Sequence, residues 1–138
     1  MKIVVDTNVF VSACLGTGAC AAVIAACLQG RCAPLVGNAL LSEYEDVLGR
    51  VDLFRTCRLS EHERGELLDA FLACCTWGRV YFAWRPNLQD EADNHLVELA
   101  VANGADAIVT RNLRDLSRME LRFPHLRVLL PEDFLKEI

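Results

Sequence analysis

The sequence predicts an α/β sandwich on a central, mainly parallel sheet of four to five strands. Two observations carry this. Short apolar segments alternate with longer segments of helical periodicity along the whole chain, the order that builds parallel βαβ units. The short segments are also apolar on both faces, as strands covered by helices on two sides must be. No repeat, low-complexity stretch or linker interrupts the alternation, and 138 residues suit a single domain, 1–138.

The elements follow in order. KIVV (2–5) is a β-branched run closed by the polar Asp6-Thr7-Asn8, a first buried strand. GTGACAAVIAACLQG (16–30) is an Ala-rich helix ended by Gly30. APLVG (33–37) is a second strand. Asn38 is placed to cap the helix ALLSEYEDVLG (39–49), with Gly49 as its stop. Ser60 and Glu63 form a capping box for SEHERGELLDAFLACC (60–75). VYFAW (80–84) is the third strand candidate. A helix over about 90–103 ends at Asn103-Gly104. ADAIVT (105–110) and RVLL (127–130) are the fourth and fifth strands, and Pro131 opens a short final helix.

Composition narrows the classes. Hydrophobic residues make up 53% of the chain and charged ones 24%, which fits a globular protein and excludes a disordered one. No stretch reaches the roughly 20 apolar residues that span a bilayer. The start, MKIVVD, meets an acid at position 6 and does not read as a signal peptide. A cytoplasmic protein without membrane contact is expected. The seven cysteines include no C-x-x-C pair, and most lie in apolar runs such as CAAVIAACL, where cysteine acts as a small hydrophobe. A net charge of −5 is the wrong sign for binding nucleic acid by bulk electrostatics, so any such function must be local.

In open parallel sheets, ligands bind beyond the carboxyl ends of the strands. Asp6 follows the first strand. Asn38 and Glu43 follow the second, and Asp90 and Asp93 the third. Thr110, Arg111, Asn112 and Asp115 follow the fourth. Each acid has an ordinary reading: Asp90 as a helix cap, Asp93 as a helix-dipole acid, Glu43 as a boundary residue, Asp6 in a turn. Their common edge favours function. Glu43 has Leu40 and Val47 as helical neighbours, and Asp93 shares a face with Leu96, Val97 and Ala100, so both flank apolar surfaces. Carboxylates gathered in one place repel and stay ionised together only around a cation. Without Cys or His in the set, oxygen ligation suits Mg²⁺ or Mn²⁺, and such sites activate water against phosphodiesters.

MKIVVDTNVFVSACL, LLSEYEDVLGR and DEADNHLVELAVANGADAIVTRNLRDL together resemble the PIN-domain nucleases, in particular the bacterial and archaeal toxin-antitoxin branch related to VapC toxins. The resemblance runs from Met1 to about Phe134. It implies a three-layer α/β/α PIN-like fold and a Mg²⁺- or Mn²⁺-dependent ribonuclease, restrained by an antitoxin protein and commonly dimeric. By position, Asp6, Glu43 and Asp93 match the family's three principal metal-site acids. Thr7, Asn8 and Ser12 would support them by hydrogen bonding. Many relatives carry a further acid two residues past the threonine of the fourth strand; Asn112 stands there, and Asp115, three residues on, is the candidate to position water or a second ion.

Arg111, Arg114, Arg118 and Arg122 are spaced 3, 4 and 4, one basic stripe if 113–122 is helical. Phosphate contact, antitoxin docking and an ordinary solvated face, paired with Asp115 and Glu120, are all open. Trp77, Tyr81, Phe82 and Trp84 read as core or dimer interface before base stacking. His95 reads as a solvent or core residue. Two other functions compete. One is a PIN fold without cleavage, acting as an RNA- or protein-binding module. The other, a haloacid-dehalogenase-like phosphatase, needs a second acid where Asn8 stands and a downstream lysine, yet the only lysines are Lys2 and Lys136.

Overall fold

Strand β1 (Lys2–Val5) is the middle of the sheet because its last three residues, Ile3, Val4 and Val5, are fully buried. The computed structural model describes residues 1–16, 18–80, 91–116 and 123–138, and for residues 91–93 and 115 the backbone alone. Along the chain follow α1 (Thr7–Leu15), α2 (Ala19–Leu28), β2 (Ala33–Val36), α3 (Asn38–Leu48), a 3₁₀ turn (Val51–Phe54) and α4 (Glu61–Cys74). Then come β3 (Thr76–Trp77), α5 (Glu91–Ala102), β4 (Ala107–Val109), α6 (Leu113–Leu116), β5 (Arg127–Leu129) and α7 (Pro131–Leu135).

The five strands among the described residues are all parallel, in the order β3-β2-β1-β4-β5. Val4 pairs with Leu35 on one side and Ile108 on the other. The chain leaves β1 toward β2 and β3, then returns across the sheet to β4. Right-handed crossovers in opposite directions put helices on opposite faces. Helices α1 to α4 pack on one another, and α5 lies on β1, β2 and β4. The order reverses between β1 and β4, which makes their carboxyl ends the topological switch point, where open α/β sheets bind ligands.

The core beside that point is aromatic. Phe10, Tyr44 and Phe71 form a triangle with ring centroids 5.6–5.8 Å apart. The Tyr44 hydroxyl donates to the Val5 carbonyl, tying α3 to the end of β1.

Three readings need correction, and a fourth is covered only in part by the described residues. An unexpected strand lies at Thr76–Trp77; of the expected VYFAW (80–84), Val80 is outside any strand, and 81–84 lie outside the described residues. The strand directly follows α4, with only Cys75 between, so no turn residues announce it. Helix α1 is an element that the sequence reading leaves unassigned; burial of Thr7, Val9, Phe10, Ala13 and Cys14 outweighs the strand propensity of the β-branched Val9 and Val11. Asn38 is not the cap of α3. Gly37 holds the N-cap position without a side-chain bond, and Asn38 is the first helical residue. The helix expected over 113–122 is α6, Leu113–Leu116, and 117–122 lie outside the described residues. The Ser60–Glu63 capping box is present in both directions, at 2.9 and 3.1 Å. The described cysteines are free thiols, and Cys14, Cys20, Cys27 and Cys32 are buried.

Candidate active site

Asp6 is the single residue between β1 and α1, so the end of a buried strand fixes its backbone. It is only 5% exposed and makes no capping bond to α1. Its amide donates to the Val109 carbonyl at 3.0 Å, which locks it to the end of β4. One carboxylate oxygen, Oδ2, accepts from the Thr110 hydroxyl at 2.8 Å and from Asn8 Nδ2 at 3.2 Å. Asn8 Oδ1 accepts the Arg111 amide at 3.1 Å, and Thr110 Oγ1 accepts the Asn112 amide at 2.9 Å. Asn8 therefore ties the start of α1 to the turn after β4.

Glu43 reaches the same place from α3. Its Oε1 accepts from the Thr7 hydroxyl at 2.5 Å, and that hydroxyl lies 3.3 Å from Asp6 Oδ1. Thr7 has one hydroxyl proton, and the shorter contact to Glu43 claims it. The Thr7 oxygen and Asp6 Oδ1 then face each other without a shared proton, an oxygen pair that a proton on Asp6 or a cation would satisfy. Glu43 Oε2 lies 2.7 Å from His95 Nε2 on α5. Since the carboxylate there accepts, Nε2 is the donor. His95 Nδ1 is buried and has no hydrogen-bond partner among the described residues.

Electrostatics divide the two acids. Burial pushes the Asp6 carboxyl above its ordinary value, the Thr110 bond opposes this, and the charge on Glu43 adds to it. Glu43 moves the other way, drawn down first by the His95 hydrogen bond, against a burial cost, with Thr7 helping. A buried acid that resists ionising beside one already ionised is a site where a cation relieves strain in the charge balance.

Placement of the remaining expected residues is as follows. Asp93 sits in the first turn of α5, two residues before His95, but its side chain lies outside the described residues, as does that of Asp115 in α6. Among the described residues no three His, Cys, Asp or Glu side chains gather to hold a metal ion. The oxygen donors of Asp6, Glu43 and Thr7 are of the hard type that Mg²⁺ and Mn²⁺ prefer. Ser12 is exposed, one helical turn beyond Asn8. Asn112 is half-buried beside Thr110. Arg111 forms an ion pair with Glu132 at the surface, so its guanidinium belongs to a pair as well as to a basic stripe. Arg114 is exposed, and Arg118 lies outside the described residues.

Sequence reasoning missed His95 and Glu98. Asn94, His95 and Glu98 stand at i, i+1 and i+4 on α5, a polar stripe beside the apolar one. Asn94 and Glu98 are 1% and 6% exposed, so the stripe faces inward. His95 and Glu98 line a cavity of about 590 Å³, which adjoins Glu43 through His95 and whose walls also include Asn38, Trp77, Gly78 and Arg79.

The family model described as PIN domain matches residues 2–114. No curated protein matches the sequence. Among solved structures, the fold is similar to a chain of VapBC2 from Rickettsia felis bound to a DNA fragment from the promoter. That likeness has a TM-score of 0.64 at 15% identity, over 94% of this chain and 98% of the other.

Proposed function

The chain belongs to the PIN domain family, and from that premise we propose a metal-dependent endoribonuclease, the toxin of a toxin-antitoxin pair. The carrying observation is the Asp6–Thr7–Glu43 constellation at the switch point of the sheet, with Asp93 opening the helix that brings in His95. Asp6, Glu43 and Asp93 would hold Mg²⁺ or Mn²⁺. When bound, the ion supplies an activated water and neutralises charge on the phosphodiester.

The chain's own groups have separate tasks. Thr110 and Asn8 hold Asp6 Oδ2, leaving Oδ1 turned toward Thr7 and Glu43. His95 fixes the rotamer of Glu43 by a donated bond, as outer residues orient ligands in such sites. Asp115 or Asn112, in the turn after β4, would position the attacking water. Arg111, Arg114 and Arg118 would contact phosphates. An antitoxin partner is supported by the toxin-branch resemblance and by likeness of fold to VapBC2; a homodimer and a cytoplasmic location belong to the same reading. Among the described residues no single helix is long and apolar enough to cross a membrane.

The test is RNA cleavage with and without Mg²⁺ or Mn²⁺. Asp6→Asn, Glu43→Gln and Asp93→Asn are each expected to cut the rate by on the order of 100-fold or more. Undiminished cleavage by Asp6→Asn or Asp93→Asn would overturn the proposal. One observation favours a second reading, a binding module without cleavage: Asn112 stands where many relatives place an acid. Metal-independent RNA binding with no cleavage in either ion would select it.

A further inference from the structure

We propose that the cavity beside Glu43 is a nucleobase pocket, which seats one base of a single-stranded RNA while the neighbouring phosphate lies at the acids. This rests on the nuclease reading. Three features carry it. First, the cavity of about 590 Å³ falls within the range of small-ligand sites, roughly 300–1,000 Å³, and shares His95 with the acid pair. A strand that presents a phosphate at Asp6 and Glu43 has its next nucleotide within reach of that wall.

Second, the lining has the chemistry of single-strand recognition. Trp77 ends the edge strand β3 and is 49% exposed, so it is neither core nor covered by another described element. Every base offers a π-face, and an open tryptophan face beside a cationic side chain is how proteins hold unpaired bases. Arg79 lies two residues on, in the same wall, and suits the phosphate attached to that base. Glu98 lines the inner wall. Its carboxylate repels a phosphate there, and with four lone-pair sites it accepts from a base N–H alongside other partners.

Third, the position of Trp77 is built. Gly78 donates its amide to the Val36 carbonyl at 2.7 Å. A Cβ on Gly78 would meet Asn103 Nδ2 at 2.6 Å and Leu99 Cδ1 at 2.8 Å. A side chain there would have to push Asn103 and Leu99 aside, so glycine lets the end of β3 lie close against α5, with the tryptophan before it beside His95 and Glu98.

The experiment uses the full chain and fluorescein-labelled ten-residue RNAs of unstructured sequence, in EDTA and in Ca²⁺, so that binding is read without cleavage. Trp77→Ala is expected to weaken binding roughly tenfold, and Trp77→Phe, which keeps an aromatic face, to restore most of it. Arg79→Ala should reduce the slope of log affinity against log salt by about 0.7, the value for one phosphate on a single strand. Trp77 is exposed, so its truncation opens no core cavity, and circular dichroism melts check that the variants stay folded. Equal binding by Trp77→Ala and wild type overturns the pocket, as does no measurable RNA binding by wild type. A change of oligomeric state in Trp77→Ala with RNA affinity untouched also overturns it, and marks the face as a subunit interface. Because binding is read without turnover, the pocket and the nuclease reading fail separately: loss of affinity in Trp77→Ala with no cleavage by wild type keeps the pocket and removes the nuclease.

Discussion

Replacing Asp6 by asparagine should stabilise the metal-free protein and destabilise it relative to wild type once metal is added. Asp6 is nearly isosteric with asparagine, so packing is unchanged and the effect is one of charge. The Thr7 hydroxyl spans Asp6 Oδ1 and Glu43 Oε1 through contacts of 3.3 and 2.5 Å, so the two carboxylates lie less than about 6 Å apart. At that distance and an effective dielectric constant near 20, two like charges repel by about 3 kcal/mol. Glu43 is 31% exposed on its side chain, and solvent screening reduces this to about 1–2 kcal/mol. Against it stands the weakening of the bonds from Thr110 and Asn8 when their acceptor loses its charge, on the order of 1 kcal/mol. The direction of the Asp6 pKa, raised by burial and by Glu43 in spite of Thr110, says that the charged form is the loser in this balance. In EDTA at pH 7, Asp6→Asn should therefore melt as high as wild type or a few degrees higher. In Mn²⁺ at about 100 times the dissociation constant, wild type gains about 2.7 kcal/mol and the variant little, so the order of the two melts reverses. Thermal scans of both proteins in both conditions give the answer. A variant that melts well below wild type in EDTA refutes the electrostatic argument, and equal Mn²⁺ shifts refute Asp6 as a ligand.

Two further predictions concern acid and packing. Glu43 has a lowered pKa in the folded state, so its stabilisation is complete above the unfolded value of about 4.5 and is lost as pH falls through the lower, folded value. Asp6 runs oppositely, so the clean comparison is Asp6→Asn with Asp6→Asn/Glu43→Gln: urea melts from pH 6 to 3 should show the first losing more stability below pH 4.5, and parallel curves would refute the His95–Glu43 bond as its cause. Gly78→Ala should cost about 1–3 kcal/mol in urea denaturation, because its Cβ meets the Asn103 and Leu99 side chains within 2.8 Å, whereas Gly65→Ala, in open space on α4, should add roughly 0.5–1 kcal/mol; a neutral Gly78→Ala would mean that those two side chains turn aside freely.

Much of this was legible in the sequence, and the reasons differ by residue. Asp6 was readable because a continuous β-branched run ends on it, and strand ends in a parallel sheet share one edge. Glu43 was readable because helical spacing sets it beside Leu40 and Val47 rather than with the exposed Glu45 and Asp46. The capping box at Ser60 is a purely local device and came out as expected. What was not legible depended on contacts distant in the chain. His95 reads as a lone histidine until α5 is laid on the sheet and its ring meets a glutamate 52 residues away. Thr110 follows the fourth strand in plain view, but only parallel pairing of β1 with β4 turns its hydroxyl to Asp6. β3 has two residues and no turn signal, and the stronger aromatic run at 80–84 drew the strand away from it. In α1, burial of Thr7, Val9, Phe10, Ala13 and Cys14 at helical spacing decides for helix over the strand propensity of the β-branched Val9 and Val11.

The two borders of the sheet bear on how this protein meets others. β3 offers two residues and β5 three, the shortest segments that still pair. A border strand that brief presents too few free amides and carbonyls for an extended chain to zip onto it, which protects against runaway fibre growth. It also closes one route of assembly. Among the described residues, a partner that gains its grip by adding a strand finds little ladder to extend at β3 or β5, which favours association through side chains on helices and turns. The choice of one partner among many would then be made on surfaces separate from the chemistry at the end of β1.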